Sequence, residues 1–461
     1  MAFYTEIQNL APDEKRLLIA EIPGARYSLF YQAHPNLATE FFYKESLNGF
    51  VLATGLLEII GRVKKEFPDS EFKEKVSKIV DSIKPFEPYD FQLEAIQDAL
   101  FCKNLLIRAA TGSGKSLIIG LLAKILVMMG YKGLILVPNV SLVEQFAFDL
   151  DSYKLKLEPH LIGGSHTEKH FDSPLTISTF QSLRLYKELC GSLDFLIIDE
   201  CHKAKSKEIF DISRSCKNVQ YKIGLTGTIP QNAYDFLKVC SVFGMPKNYI
   251  TPRQLIDRGL GTNIKIHIHK LKHPKRFVGS DYSMALEFLV KCEPRNQHIV
   301  KLVKSLNGNT VILVSRNEHA HRLFHMLMPV QIDEKSYKDL TLQAAHKIYF
   351  INGQIDGAQR ERIRNILENV ENSVLISNYQ IMSTGINIKN LHNLVLASPV
   401  KSYITITQSL GRLIRTHDSK DTVNVYDLAD DFGFFKKQLR ERIKDCYEPQ
   451  CYEIDSQDIA L

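Results

Sequence analysis

Tryptophan is absent from this 461-residue chain, so no site in it can be built on an indole, and any stacking wedge falls to Phe or Tyr. Long apolar runs are missing too. None approaches the roughly 18 residues that a membrane-spanning helix needs, and the opening MAFYTEIQNLAPDEKRLLIA has no basic segment followed by an apolar one, as a secretion leader would. A soluble protein in a cytoplasmic setting is expected. The eight cysteines (Cys102, Cys190, Cys201, Cys216, Cys240, Cys292, Cys446 and Cys451) are scattered. They make no C-x-x-C pair and have no histidines at zinc spacing, which argues against a zinc module and for reduced thiols. Charge of one sign is scarce as well. The net is +6, with residues 1–85 carrying 11 Lys and Arg against 12 Asp and Glu, an excess that permits a polyanionic partner without requiring one. No low-complexity tract or internal short repeat is evident.

What is present is a rhythm. From Phe91 to Leu428 short apolar runs alternate with helical stretches: Leu105 to Ile107, Leu134 to Val137, Phe195 to Ile198 and Ile223 to Leu225. After a mixed stretch at 260–275 it restarts with Val311 to Val314, Ile348 to Ile351, Val374 to Ile376, Leu394 to Leu396 and Val423 to Tyr426. Near-continuous apolar strands separated by helices mark parallel sheets covered on both faces. The expected fold class is α/β, with two tandem domains at 86–262 and 263–432. Residues 1–85 lack the rhythm and end in a charged helical stretch from Glu71 to Ile83, so they are expected to form a small α+β domain set off by Pro85 and Pro88. Residues 433–461 read as a basic helix, Phe434 to Lys444, and a polar tail.

The strongest local signal is Ala109-Ala110-Thr111-Gly112-Ser113-Gly114-Lys115-Ser116, between the strand ending at Arg108 and the helix Leu117 to Met128. Glycines let backbone N–H groups approach phosphates, and the helix N-terminus adds positive potential. Lys115 then reaches the β/γ-phosphates while Ser116 offers a hydroxyl to Mg²⁺. Ala109 stands where the first glycine of such a loop usually does, and the alternative is a glycine-rich turn that binds nothing. Asp199-Glu200-Cys201-His202 follows the apolar strand Phe195 to Ile198, so both carboxylates emerge where open α/β sheets bind ligands. Asp199 would hold Mg²⁺ through water and Glu200 would polarise the attacking water. In the second half, Gln408-Ser409-Leu410-Gly411-Arg412-Leu413-Ile414-Arg415 puts Arg412 and Arg415 on one helix face. They are candidates for guanidinium delivery to the γ-phosphate, or for plain ion pairs with Asp418 and Asp421. Lys203, Lys205 and Lys207, and Lys436, Lys437, Arg440, Arg442 and Lys444, are candidate phosphate contacts, with a solvated face as the alternative for each cluster.

Taken in order, these segments resemble the motifs of superfamily 2 helicases over about residues 86 to 430. The resemblance implies two RecA-like domains, ATP and Mg²⁺ as cofactors, and roles for particular residues. Gln92 would read adenine, and Thr111, Gly112, Ser113, Gly114, Lys115 and Ser116 form motif I. Pro138 and Asn139 in motif Ia, Thr179 and Gln181 in motif Ic, and Ser383 and Thr384 in motif V would touch nucleic acid. Gly385 and Asn387, also in motif V, would contact nucleotide. His202 in motif II, Thr226 and Thr228 in motif III and Gln408 in motif VI would couple hydrolysis to movement. Within the superfamily the D-E-C-H form, Ser383 to Asn387 and the short leading domain look most like phage UvsW-type branch-migration helicases, with Phe42 to Val51 similar to their N-terminal strand pair. That implies a DNA-dependent ATPase acting as a monomer on duplex, forked or four-way DNA, with an RNA:DNA hybrid as a further partner. An RNA helicase, or a motor or clamp subunit of a larger complex, are the alternatives.

Overall fold

The computed structural model describes residues 4–7, 43–46, 49–53 and 65–461, apart from 85, 167, 169, 184–186, 206–210, 214, 217, 275–280, 332–338, 354, 356, 385–387 and 401. The chain divides into two compact units, Met1–Ile250 and Thr251–Leu461.

The first unit opens with three antiparallel strands, β1 (Tyr4–Ile7), β2 (Tyr43–Ser46) and β3 (Gly49–Ala53), β3 being central. The strand pair expected near Phe42 to Val51 is thus β2 and β3. Helix Ser70–Ile83 starts where the Asp69 carboxylate accepts the Phe72 N–H at 2.8 Å. It buries Val76 and Val80 and docks on helix Asp90–Cys102. There Gln97 Nε2 donates to the Lys73 carbonyl at 3.0 Å and Phe72 meets Phe101 edge to face at 5.2 Å.

The main sheet of this unit has seven strands, β4 (Asn104–Ala109), β5 (Gly133–Val137), β6 (His160–Ile162), β7 (Leu175–Thr179), β8 (Phe195–Ile198), β9 (Tyr221–Thr226) and β10 (Pro246–Ile250). They lie in the order β10-β4-β9-β8-β5-β7-β6, every neighbouring pair parallel. All residues of β5, β7, β8 and β9 are buried, as a sheet covered on both faces requires.

The second unit repeats the plan with β11 (Asn263–Lys272), β12 (Thr310–Val314), β13 (Ile348–Ile351), β14 (Val374–Asn378), β15 (Asn393–Leu396), β16 (Thr422–Asp430) and β17 (Glu453–Ala460). The order is β13-β14-β12-β15-β16-β11-β17, again all parallel. Its core gathers Ile312, Val314, Leu323, Phe324, Phe350, Ile376 and Val395. Two expectations change here. The mixed stretch at 260–275 contains a ten-residue strand, β11, and the polar tail contains the edge strand β17, paired along its length with β11.

The basic terminal helix forms at Gly433–Arg442 and runs into a π-helical turn, Ile443–Tyr447. Lys436, Lys437, Arg440 and Lys444 are exposed. Arg442 is not available as a phosphate contact, because it faces the sheet and is buried. Its Nε and Nη2 each donate to the Asp427 carboxylate at 2.8 Å, and the Tyr447 hydroxyl donates to the same carboxylate at 2.8 Å. Among the described residues no helix is long and apolar enough to cross a membrane.

Candidate active site

Strands β4, β9 and β8 are neighbours, so the loops leaving their carboxyl ends, 110–114, 227–228 and 199–202, lie side by side. In the first loop Gly112 and Gly114 adopt φ of 88° and 77°, conformations an L side chain rarely takes. A Cβ on Gly114 would also strike Gln92 Nε2. Gln92 is buried and uses both ends of its amide: Oε1 accepts the Tyr89 N–H at 2.9 Å and Nε2 donates to the Ser113 carbonyl at 2.8 Å. The loop is thereby braced from helix Asp90–Cys102. Lys115 and Ser116 open helix Lys115–Met128, whose first N–H groups have no intrahelical acceptor and can bind an anion. Lys115 Nζ donates to the carbonyls of Ala109 and Ala110, both at 3.3 Å. The Ser113 hydroxyl is buried without a partner.

At the next loop the Asp199 N–H donates to the Leu136 carbonyl at 2.9 Å, which extends the β8 to β5 pairing by one residue. Glu200 then turns with φ 49°, a left-handed conformation that costs a non-glycine residue on the order of 1 kcal/mol or more and persists where surroundings impose it. His202 supplies that constraint. Its Nδ1 stands 2.9 Å from Thr226 Oγ1 and 3.2 Å from Glu200 Oε2. The Thr226 hydroxyl donates to the Thr228 carbonyl at 2.7 Å and accepts the Thr228 N–H at 3.1 Å. Gly227 closes the group against the phosphate loop, since a Cβ there would stand 3.0 Å from Thr111 Oγ1 and 3.2 Å from its nitrogen.

Electrostatics separate the two carboxyls. Burial and the neighbouring Glu200 charge push Asp199 up to about 7, against the pull of Lys115. Burial also acts to raise Glu200, but the His202 hydrogen bond and the Lys115 and Lys203 charges outweigh it and bring Glu200 down to about 2. With water partly withdrawn and the Glu200 charge beside it, Asp199 holds a proton more readily than a free carboxyl does, a bias that a bound cation would oppose. A hard divalent cation fits this all-oxygen set of carboxylate and Ser116 hydroxyl. Lys203, half-buried beside the pair, is pulled below its ordinary value by burial.

Farther along the same sheet edge, Pro138 and Asn139 follow β5, while Thr179 ends β7 and Gln181 lies just beyond it. Asn139 Oδ1 caps helix Val140–Ser152 by accepting the Leu142 N–H at 3.1 Å. Thr179 is buried, its Oγ1 2.9 Å from Ser182 Oγ, whereas Gln181 is exposed. A feature that sequence reading passed over adjoins them: the turn after β6 closed by the Gly163 and His166 bridge. Cβ atoms on Gly163 and Gly164 would stand 3.0 Å from Ser182 Oγ and 2.6 Å from Val140 Cγ1. The Gly-Gly-Ser signature of a turn was its available signal.

In the second unit, helix Tyr403–Leu413 starts where Ser402 Oγ accepts the Thr405 N–H at 3.2 Å. It carries Gln408 and Arg412. Arg415 does not share its face as expected, since the helix ends at Leu413 with Ile414 as cap. Ser383 and Thr384 end helix Tyr379–Thr384, which packs on Tyr403–Leu413. Gly385 and Asn387, like Lys207, lie outside the described residues.

Residues 85–231 match the family of type III restriction enzyme res subunits, and residues 294–417 match the helicase conserved C-terminal domain. The chain is 30% identical over 395 residues to the ATP-dependent DNA helicase uvsW of Enterobacteria phage T4, covering 83% of this chain and 76% of that protein. In fold it is like a fragment of a putative type I restriction HsdR subunit from Vibrio vulnificus, with TM-score 0.59, 22% identity, and 81% and 68% of the two chains covered. It is also like S. cerevisiae Dbp5, with TM-score 0.55, 14% identity, and 85% and 94% covered. The ordered motifs, the two parallel sheets and this identity agree, and the chain belongs to the superfamily 2 helicases, in the family of the phage T4 uvsW helicase, and is a nucleotide hydrolase.

Proposed function

We propose that the chain is a DNA-dependent ATPase that walks on duplex or branched DNA and remodels forks, D-loops or R-loops and four-way junctions during recombination, repair and replication. The observation that carries this is the order of loops along the carboxyl edge of the first sheet. The phosphate loop, the carboxylate pair and the Thr226 to Thr228 loop occupy neighbouring strands β4, β8 and β9, and the loops after β5 and β7 continue outward from them. This order supports a reading in which nucleotide chemistry and part of the nucleic-acid contact share one sheet edge.

In this reading Lys115 and the helix N-terminus hold the β/γ-phosphates. Ser116 and Asp199 would hold Mg²⁺, which would supply neutralisation of the developing phosphate charge. Glu200 aligns a water on the γ-phosphorus and takes its proton as the bond to the β-bridging oxygen breaks. Gln92 braces the loop beside the adenine. Arg412 and Arg415 meet transition-state charge, and His202, Thr226, Thr228 and Gln408 relay the nucleotide state. Pro138, Asn139, Thr179 and Gln181 of the first unit, and Ser383 and Thr384 of the second, would each contact nucleic acid. Branch migration suits a motor whose leading segment is close to neutral, because strands re-pair behind the moving junction and the net base-pair cost is near zero.

The test is ATP turnover and strand exchange on single strands, duplex, forks, four-way junctions, RNA duplexes and RNA:DNA hybrids. Forks and four-way junctions should be processed faster than blunt duplexes of equal length. A preference for RNA duplexes would favour the RNA-helicase reading and overturn this one.

A further inference from the structure

Three consecutive carbonyls at the end of helix Tyr403–Leu413 are captured by two residues that no motif contains. Lys420 Nζ donates to the Leu413 carbonyl at 3.2 Å and to the Leu391 carbonyl at 3.2 Å. The Thr262 N–H donates to the Ile414 carbonyl at 2.6 Å, and the Thr262 hydroxyl donates to the Arg415 carbonyl at 3.1 Å. Helix ends leave such carbonyls without intrahelical partners, and a cation there also suits the helix dipole. Thr262 and Lys420 are both buried. Gly261 permits the approach, since a Cβ there would stand 2.5 Å from Ile414 Cγ2.

Thr262 lies on the segment that enters the second unit. That unit begins at Thr251, one residue after Ile250. The Ile250 carbonyl, at the end of β10, accepts the N–H of Ala110 in the phosphate loop at 3.0 Å. From there the chain runs through helix Pro252–Asp257, whose first turn is capped by Thr251, to Gly261 and Thr262. Thr262 thus follows that helix within the second unit and holds the backbone of Arg415 through its side chain.

We infer that Thr262 is a positioning residue for Arg415, fixing the arginine's backbone to the opening segment of the second unit so that the guanidinium is held in one orientation. This rests on the reading of Arg415 as the residue that meets transition-state charge. Aim matters steeply in phosphoryl transfer, because a misplacement of about 1 Å can cost on the order of a hundredfold in rate.

The experiment uses the full chain with saturating junction DNA, measures kcat and KM for ATP in Thr262→Val, Thr262→Ser, Arg415→Ala and the double variant Thr262→Val with Arg415→Ala, and normalises rates to the folded fraction from circular dichroism melts. Thr262→Val keeps shape but loses the hydroxyl, so kcat should fall by about ten- to a hundredfold with KM for ATP unchanged. Thr262→Ser should restore it. In the Arg415→Ala background, followed in single turnovers with enzyme in excess, Thr262→Val should add no further loss. Wild-type kcat in Thr262→Val beside a crippled Arg415→Ala overturns the inference and leaves the role of Arg415 standing. A Thr262→Val loss that persists without Arg415 also overturns it, by placing the effect elsewhere. Normal turnover in Arg415→Ala removes the underlying reading, and the inference with it.

Discussion

Acid should weaken the second unit through one buried imidazole. His319 is 1% exposed, with Nδ1 3.1 Å from Ser398 Oγ and Nε2 3.0 Å from Asn296 Oδ1. Burial, and then the nearby Arg295 charge, bring its pKa from 6.5 down to about 3, with Asp430 opposing. The folded pKa is depressed, so the unfolded chain takes up a proton first as pH falls. Stability is fully present above about 6.5 and is lost between there and about 3. The difference amounts to about 2 kcal/mol at pH 5 and approaches about 5 kcal/mol near pH 3. Urea unfolding at pH 7.5 and pH 5, read by hydrogen exchange on peptides spanning 310–327, measures it in place. In His319→Gln, which keeps polar groups near both partners without an ionisable ring, the gap between the two pH values should shrink by about 2 kcal/mol. His269, brought down to about 4 chiefly by burial, should leave a residual slope. An unchanged gap in His319→Gln would refute the reasoning.

Other outcomes can be checked in the same preparations. Lys115→Ala should weaken nucleotide binding, whereas Glu200→Gln should retain it while turnover collapses; wild-type turnover in Glu200→Gln would sink the carboxylate assignment. Gly227→Ala should raise KM for ATP several-fold with little change in melting temperature, because the added methyl presses on Thr111 rather than on the core; binding calorimetry showing native affinity would contradict this. Removing residues 1–64, which spares helix Ser70–Ile83 and its contacts with Gln97 and Phe101, should leave basal ATP turnover largely intact but weaken junction processing. Binding of the full chain to junctions should fall steeply with salt, as phosphate contacts dictate, and a truncated form that handles junctions normally would dissociate the leading segment from that task.

The elements that sequence reading placed well are those whose signal is local. Phe195 to Ile198 is apolar throughout because both faces of β8 are covered, and the two acidic residues after it can only emerge at the sheet edge. Strand β11 was harder to see. Ile264, Ile266 and Ile268 alternate with Lys265, His267 and His269, and its polar face is matched by a strand far away in sequence. Lys265 pairs with Glu453 at 2.5 Å and Lys272 with Asp458 at 3.5 Å. Strand β17 has no apolar run, so nothing within it signals pairing. Arg442 looked like one more surface cation until Asp427, on a strand rather than at a helical spacing, proved to be its partner. Thr262 carries no motif at all, and its role arises only from where the chain folds back upon Ile414 and Arg415.

The placement of β11 also bears on how the second unit is made. It is the unit's first strand, yet it sits between β16 and β17, the last two. Its hydrogen-bonding edges must stay open while β12 to β15 are synthesised, since both of its neighbours are encoded after them. Assembly of this sheet cannot run steadily from N- to C-terminus. It must end with a closure between residues far apart in the chain, the kind of long-range step that slows folding. A nascent chain halted before Glu453 would carry Asn263–Lys272 with one edge bare, a template for pairing with another chain.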